Sequence, residues 1–123
     1  MTSMSIEKLL VELNEAPGIR GSAMTTADGM VVSSSLQERF RDDVVSGLAS
    51  FLVSTTRRAF EEAGRDGVVQ RFIIHATHGK LVVVRIGDAY LVVITDQFAR
   101  LEGVVGAVED IATRIRRVAS IGA

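Results

Sequence analysis

The residues best suited to chemistry in this chain are two adjacent arginines, Arg57 and Arg58, followed by Glu61. A guanidinium presents a planar fork of donors that fits a carboxylate or phosphate bidentately, so such a pair can grip an anionic group on a partner. The plain alternative is a solvated helix face on which Arg57 and Glu61 form an ordinary i, i+4 pair. Other chemistries fall short in residue count or spacing. His75 and His78 are the only histidines and there is no cysteine, whereas a metal centre needs three or four converging ligands. Both histidines are expected in solvent, one on a strand and one in a turn. Asp42 and Asp43 are neighbours, but adjacent helical side chains diverge by about 100°, and carboxylates here suit a helix N-terminus. The many serines include no G-x-S-x-G elbow, and no G-x-x-x-x-G-K-[ST] run is present to cradle nucleotide phosphates. Gly103-Val104-Val105-Gly106 hints at a phosphate nest but lacks a preceding fingerprint. No catalytic residue, metal ligand or cofactor site is therefore expected, and the chain reads as a binding module, not an enzyme.

The totals narrow the partner classes. With 123 residues, 47 % of them apolar, and a net charge of −1, the chain is expected to be one globular domain spanning residues 1–123. Near-neutral charge offers no field to attract nucleic acid or anionic lipid. No apolar run approaches the roughly 18 residues of a membrane span, so no membrane insertion is expected. The first ten residues lack the basic region of a signal peptide, and the absence of cysteine fits a reducing cytoplasm. One Tyr, five Phe and no Trp argue against a sugar-binding or base-stacking surface.

The elements that must position the arginines follow from periodicity. Residues 5–15 place Ile6, Leu9, Leu10 and Leu13 at amphipathic helical spacing, with Ser3 or Ser5 as N-cap and Pro17-Gly18 as the stop. Two extended stretches, 19–26 and 30–34, flank Asp28-Gly29, a strong hairpin signal. A long helix over 42–63 ends at Gly64. Strands over 68–77, 80–86 and 89–95 are separated by connections of about two residues, which permit only antiparallel hairpins. Asp96 is the expected N-cap of a last helix over 97–120, with Arg114, Arg116 and Arg117 near its C-terminus. The economical packing is α+β in three layers: a five-stranded antiparallel sheet, the long second helix on one face, and the N- and C-terminal helices on the other.

That second helix is too apolar for a single neighbour. Val44, Leu48, Leu52, Thr55 and Ala59 form one stripe. Val45, Ala49, Val53, Thr56, Phe60 and Ala63 continue it, and Phe51 extends the other edge. One packed face needs an arc of about 100°. The remaining strip is small or charged: Ser46, Gly47, Ser50, Ser54, Arg57, Arg58 and Glu61. Gly47 either lets a second backbone approach or clears a bulky sheet residue. The 68–77 strand would be an unprotected edge carrying Phe72, Ile73 and Ile74, which invites pairing.

The element order, with Pro17-Gly18-Ile19-Arg20-Gly21-Ser22-Ala23, Asp28-Gly29-Met30-Val31-Val32 and Gly87-Asp88-Ala89-Tyr90-Leu91-Val92-Val93-Ile94, resembles the Roadblock/dynein light chain family over residues 5–118. The resemblance implies a homodimer or heterodimer in which second helices pack together and the following strand pairs with its copy, making one sheet of ten strands. It further implies, as in prokaryotic members such as the gliding-motility polarity regulator type, binding to a small Ras-like GTPase without an inserted arginine finger. On this basis Gly47, Ser50, Phe51, Ser54, Phe72 and Ile74 are the expected dimer interface, and Arg57, Arg58 and Glu61 the expected partner-binding residues. The alternative is an assembly scaffold, or a dynein-light-chain-like subunit, with no GTPase partner. A small-ligand sensor is a third possibility, disfavoured by sheet faces full of Val and Ile with few polar anchors.

Overall fold

The computed structural model describes residues 2–37, 39–65 and 67–122. In chain order these form α1 (Thr2–Leu13), β1 (Ile19–Thr26), β2 (Val31–Leu36), α2 (Asp42–Glu62), β3 (Arg71–Ala76), β4 (Gly79–Ile86), β5 (Ala89–Thr95) and α3 (Leu101–Gly122). The strands make one antiparallel five-stranded sheet in the order β2-β1-β5-β4-β3. The β1–β5 ladder therefore joins the first hairpin to the later meander, and β2 and β3 are left as edges.

Strand alternation sends successive side chains to opposite faces, and here both central faces are covered. Val82, Val84, Leu91 and Val93 pack with Ile6, Leu9, Leu10 and Leu13 of α1 and Val104, Val108, Ile111 and Ile115 of α3. Val83, Tyr90 and Val92 pack with Val45, Ala49 and Val53 of α2. This is the expected three-layer arrangement, with α2 alone on its face. Side-chain bonds tie the layers together. Asn14 Nδ2 donates to Ser35 O at 2.8 Å, while its Oδ1 accepts from Ser22 Oγ at 2.9 Å.

Several expected boundaries move for physical reasons. The helix α1 starts at Thr2, so neither Ser3 nor Ser5 stands at its N-cap. Strand β3 begins only at Arg71. Before it the chain runs outside the ladder, with Val69 O accepting from Tyr90 OH at 3.3 Å and Gln70 O from Arg85 N at 2.8 Å. Asp96 does not cap α3. Its Oδ1 accepts from Phe98 N and Ala99 N, both at 2.9 Å, closing a turn ahead of the helix. Lys80 Nζ takes the Ala99 carbonyl at 2.9 Å, and the helix starts two residues later at Leu101. That helix runs on to Gly122, so Arg114, Arg116 and Arg117 lie inside it and not in its last turn. Asp42 and Asp43 do occupy the first turn of α2.

Two glycines are obligatory for this packing. Gly18 has φ +86°, and a Cβ there would collide with Ala99. A Cβ on Gly79 would collide with the backbone carbonyl of Thr95.

Candidate interaction site

The site-bearing element is α2, and its three flanks have different neighbours. The buried arc is Val45, Ala49, Val53 and Ser46. Ser46 was expected on the polar strip. It instead faces inward, fully buried, and its Oγ has no hydrogen-bond partner. Its position follows from the sheet engaging α2 on the Val45 side, about 100° from the Val44 stripe. The Val44 stripe is consequently left outside: Val44 is 57 % exposed, Leu48 49 % and Phe51 64 %. With Thr55 and Arg58, also exposed, these residues step by four, three, four and three, the spacing of a helix-to-helix seam.

The second flank faces the β1–β2 turn. Ser50 Oγ donates to Ala27 O at 2.8 Å. Ser54 and Arg57 follow on the same flank and border a cleft of about 480 Å³ with Asp28 and Tyr90. Ser50 and Ser54, expected in the seam, are thus turned toward the chain's own hairpin. Gly47 is exposed, and a Cβ there would meet nothing within 4 Å. The sheet-clearance explanation for this glycine is therefore wrong. Among the described residues, none lies close enough to a Cβ at this position to require a glycine.

The third flank meets the start of β3. Thr56 and Phe60 border a cleft of about 340 Å³ with Val68 and Phe72. Phe72 is half-buried and Ile74 is 39 % exposed. Their cross-strand partners Val83 and Leu81 put both on the α2 face of the edge strand.

Among the expected partner-binding residues, Arg57 Nε lies 3.4 Å from Glu61 Oε1, the i, i+4 pair anticipated on the helix surface, with both side chains about half exposed. Arg58 is exposed, and among the described residues no ion pair involves it. Arg57 and Arg58 point about 100° apart, so Arg57 reaches toward the hairpin cleft and Arg58 toward the outward seam. His75 and His78 are both exposed, and His78 Nδ1 lies 3.3 Å from Gln97 Oε1. Among the described residues, no three histidine or acidic side chains converge as a metal site, and no helix is long and apolar enough to cross a membrane. Gly103 and Gly106 lie exposed within α3.

Sequence reasoning missed one surface. The helix α2 lies mainly over β2, β1 and β5. Toward β3 the sheet opens into a trough floored by Ile74, Leu81 and Ile94 and walled by Phe40 and Arg39. The alternation of Phe72 with Ile74 and of Leu81 with Val83 marks these residues as one face. That the helix covers Val83 and stops short of Ile74 and Leu81 is not written in any periodicity.

Comparison with known proteins places these features in a family. The family model of the Roadblock/LC7 domain matches residues 5–95, ending where β5 ends and before α3 begins. An uncharacterized protein of Methanocaldococcus jannaschii, MJ0714, is 34 % identical over 96 residues, which is 78 % of this chain and 80 % of that protein. Among solved structures, the Roadblock/LC7 domain from Streptomyces avermitilis superposes with a TM-score of 0.81 at 22 % identity, covering 90 % of this chain and 94 % of the other. MglB of Myxococcus xanthus superposes with a TM-score of 0.86 at 15 % identity, covering 95 % of this chain and 89 % of that one. At these identities the two structures establish a shared fold.

Proposed function

The chain belongs to the Roadblock/LC7 domain family, and on that premise we propose that it is a non-enzymatic, homodimeric cytoplasmic module that binds and regulates a small Ras-like GTPase. The observation that carries the dimer is the outward stripe of α2. Val44, Leu48 and Phe51 are about half exposed or more in the single chain, at helix-seam spacing and beside an edge strand with Phe72 and Ile74 on the same face. Covering such a stripe removes apolar area from water at about 25 cal/mol per Å². Gly47 on the same outward side leaves room for a second backbone. The seam so drawn keeps Gly47, Phe51, Phe72 and Ile74 and adds Val44 and Leu48. Ser50 serves the hairpin contact, and Ser54 borders the cleft beside it.

The GTPase partner rests on family kinship and on the fold shared with MglB. Arg57, Arg58 and Glu61 lie at the C-terminal end of α2, where an exposed guanidinium is available to an anionic switch-loop group. The decisive experiment measures GTP turnover and nucleotide affinity of the cognate GTPase with and without this protein. A change in either supports regulation, and no change in both refutes it. The Arg57–Glu61 pair favours a second reading, the assembly scaffold. On that reading, replacing Arg57 and Arg58 together by Ala leaves partner binding intact. On the GTPase reading the same replacement weakens it by about tenfold or more.

A further inference from the structure

On the flank of α2 turned away from its outward stripe, the chain forms a three-walled cleft of about 480 Å³. The helix supplies Ser54 and Arg57, the tip of the first hairpin supplies Asp28, and the stretch ahead of β3 supplies Val68 and Val69. Buried Val53 and Tyr90 form the floor. The walls are tied to one another. Ser50 Oγ donates to Ala27 O at 2.8 Å, which fixes the hairpin to the helix, and Tyr90 OH donates to Val69 O at 3.3 Å. A second cleft of about 340 Å³, lined by Phe60 and Phe72, shares Arg57, Val68 and Val69 with the first, so the two are continuous. Both volumes fall in the usual span of small-molecule sites, roughly 300–1,000 Å³.

The walls carry opposite charges that do not neutralise each other. Among the described residues no ion pair joins Asp28 to Arg57. The Asp28 carboxylate accepts from Thr26 Oγ1 within the hairpin, and Arg57 Nε lies 3.4 Å from Glu61 Oε1. The carboxylate has lone pairs beyond the one that this hydroxyl uses, and the guanidinium has donors on its terminal nitrogens. Ser54, half-buried in the helix wall, can donate or accept. Beside these polar groups stands unfilled apolar surface: Phe60 is 53 % exposed and Val68 51 %. The ligand that matches carries an ammonium and a carboxylate on one carbon, with an apolar substituent next to both. We propose that the cleft binds a free apolar α-amino acid, with its ammonium on Asp28, its carboxylate on the Arg57 guanidinium and its side chain against Val68, Val69 and Phe60. This inference goes beyond the GTPase reading and does not depend on it.

Exposed ion pairs contribute weakly, so a dissociation constant of about 1 mM is expected. Amide chemical-shift titration of the isotope-labelled chain with L-leucine reads that range. Saturable shifts are expected at Asp28, Ser54, Val68 and Val69. Analogues then remove one contact at a time from the unaltered protein: N-acetyl-L-leucine lacks the ammonium, L-leucinamide the carboxylate and glycine the side chain. Each is expected to bind at least roughly fivefold more weakly. Asp28→Asn keeps the turn, because Asn-Gly suits a hairpin as well as Asp-Gly. It is expected to weaken leucine to the level of N-acetyl-L-leucine. The absence of a saturable shift up to about 20 mM leucine overturns the proposal. So does equal binding of any of the three analogues, or a set of shifts confined to residues outside the cleft. No GTPase enters the titration, so these outcomes leave the GTPase reading untouched, and failure of that reading leaves the leucine result standing.

Discussion

Glu12 of α1 and Arg114 of α3 are joined by two hydrogen bonds, with Arg114 Nη2 donating to Glu12 Oε1 at 3.0 Å and Nη1 donating to Oε2. The second guanidinium contact of Arg114, to Asp110 at 3.6 Å, lies along α3 itself. This two-pronged bond ties together the helices of the layer opposite α2. The hydrogen bond from Arg114 holds the Glu12 carboxyl below its usual value, partly offset by desolvation. A carboxyl with a lowered folded-state pKa adds stability above its unfolded value and loses that contribution as pH falls through the folded one. Glu12→Gln is therefore expected to lower the melting temperature at neutral pH and to converge with the parent in acid. Thermal melts at about pH 7 and about pH 3 check this. A difference that persists unchanged in acid contradicts it.

Ser46 offers a stabilising change. Its hydroxyl is buried without a partner on the sheet side of α2, and Ala is the best helix former. Ser46→Ala is expected to stabilise the fold by about 0.5–1 kcal/mol, read from urea unfolding. A loss of stability means that the hydroxyl is bonded after all.

Gly47 and Gly79 should respond in opposite senses to the same substitution. Gly47→Ala meets no atom within 4 Å and is expected to stabilise the single chain by about 0.5–1 kcal/mol through helix propensity. Gly79→Ala drives a methyl into the Thr95 carbonyl and is expected to cost about 2–3 kcal/mol. If Gly47→Ala also weakens self-association, the second backbone passes at that point.

Leu48 separates folding from assembly. At 49 % exposure it contributes modestly to the chain's own core. Leu48→Asp is expected to leave the melting temperature of the isolated fold nearly unchanged while converting the dimer to monomer by light scattering. Unaltered mass would remove Leu48 from the seam.

Thr95 makes a comparable test in the sheet. Its Oγ1 accepts from Lys80 N at 3.0 Å in a buried setting, so Thr95→Val strands a backbone donor and is expected to cost about 1–3 kcal/mol. Hydrogen exchange at Lys80 should accelerate accordingly. Unaltered exchange there would show that the N–H keeps a partner.

Local signals in the chain were enough to define its elements and layers. The spacing of Ile6, Leu9, Leu10 and Leu13 picked out a one-faced helix, Asp28-Gly29 marked the hairpin, and the two-residue connections after α2 left an antiparallel meander as the only choice. The same wheel measured an apolar arc on α2 wider than one contact needs. These are properties of neighbours within a few residues, and periodicity reports them directly. Only the tertiary structure decided which part of that arc the sheet would take. A rotation of about 100° separates burying Val45 from burying Val44, and both positions carry the same residue type. Packing of Val83, Tyr90 and Val92 against Val45, Ala49 and Val53 selects the first. That choice buries Ser46, turns Ser50 toward Ala27, and leaves Val44, Leu48 and Phe51 outside. The trough has the same origin, because how far α2 extends across the sheet depends on contacts between strands distant in sequence.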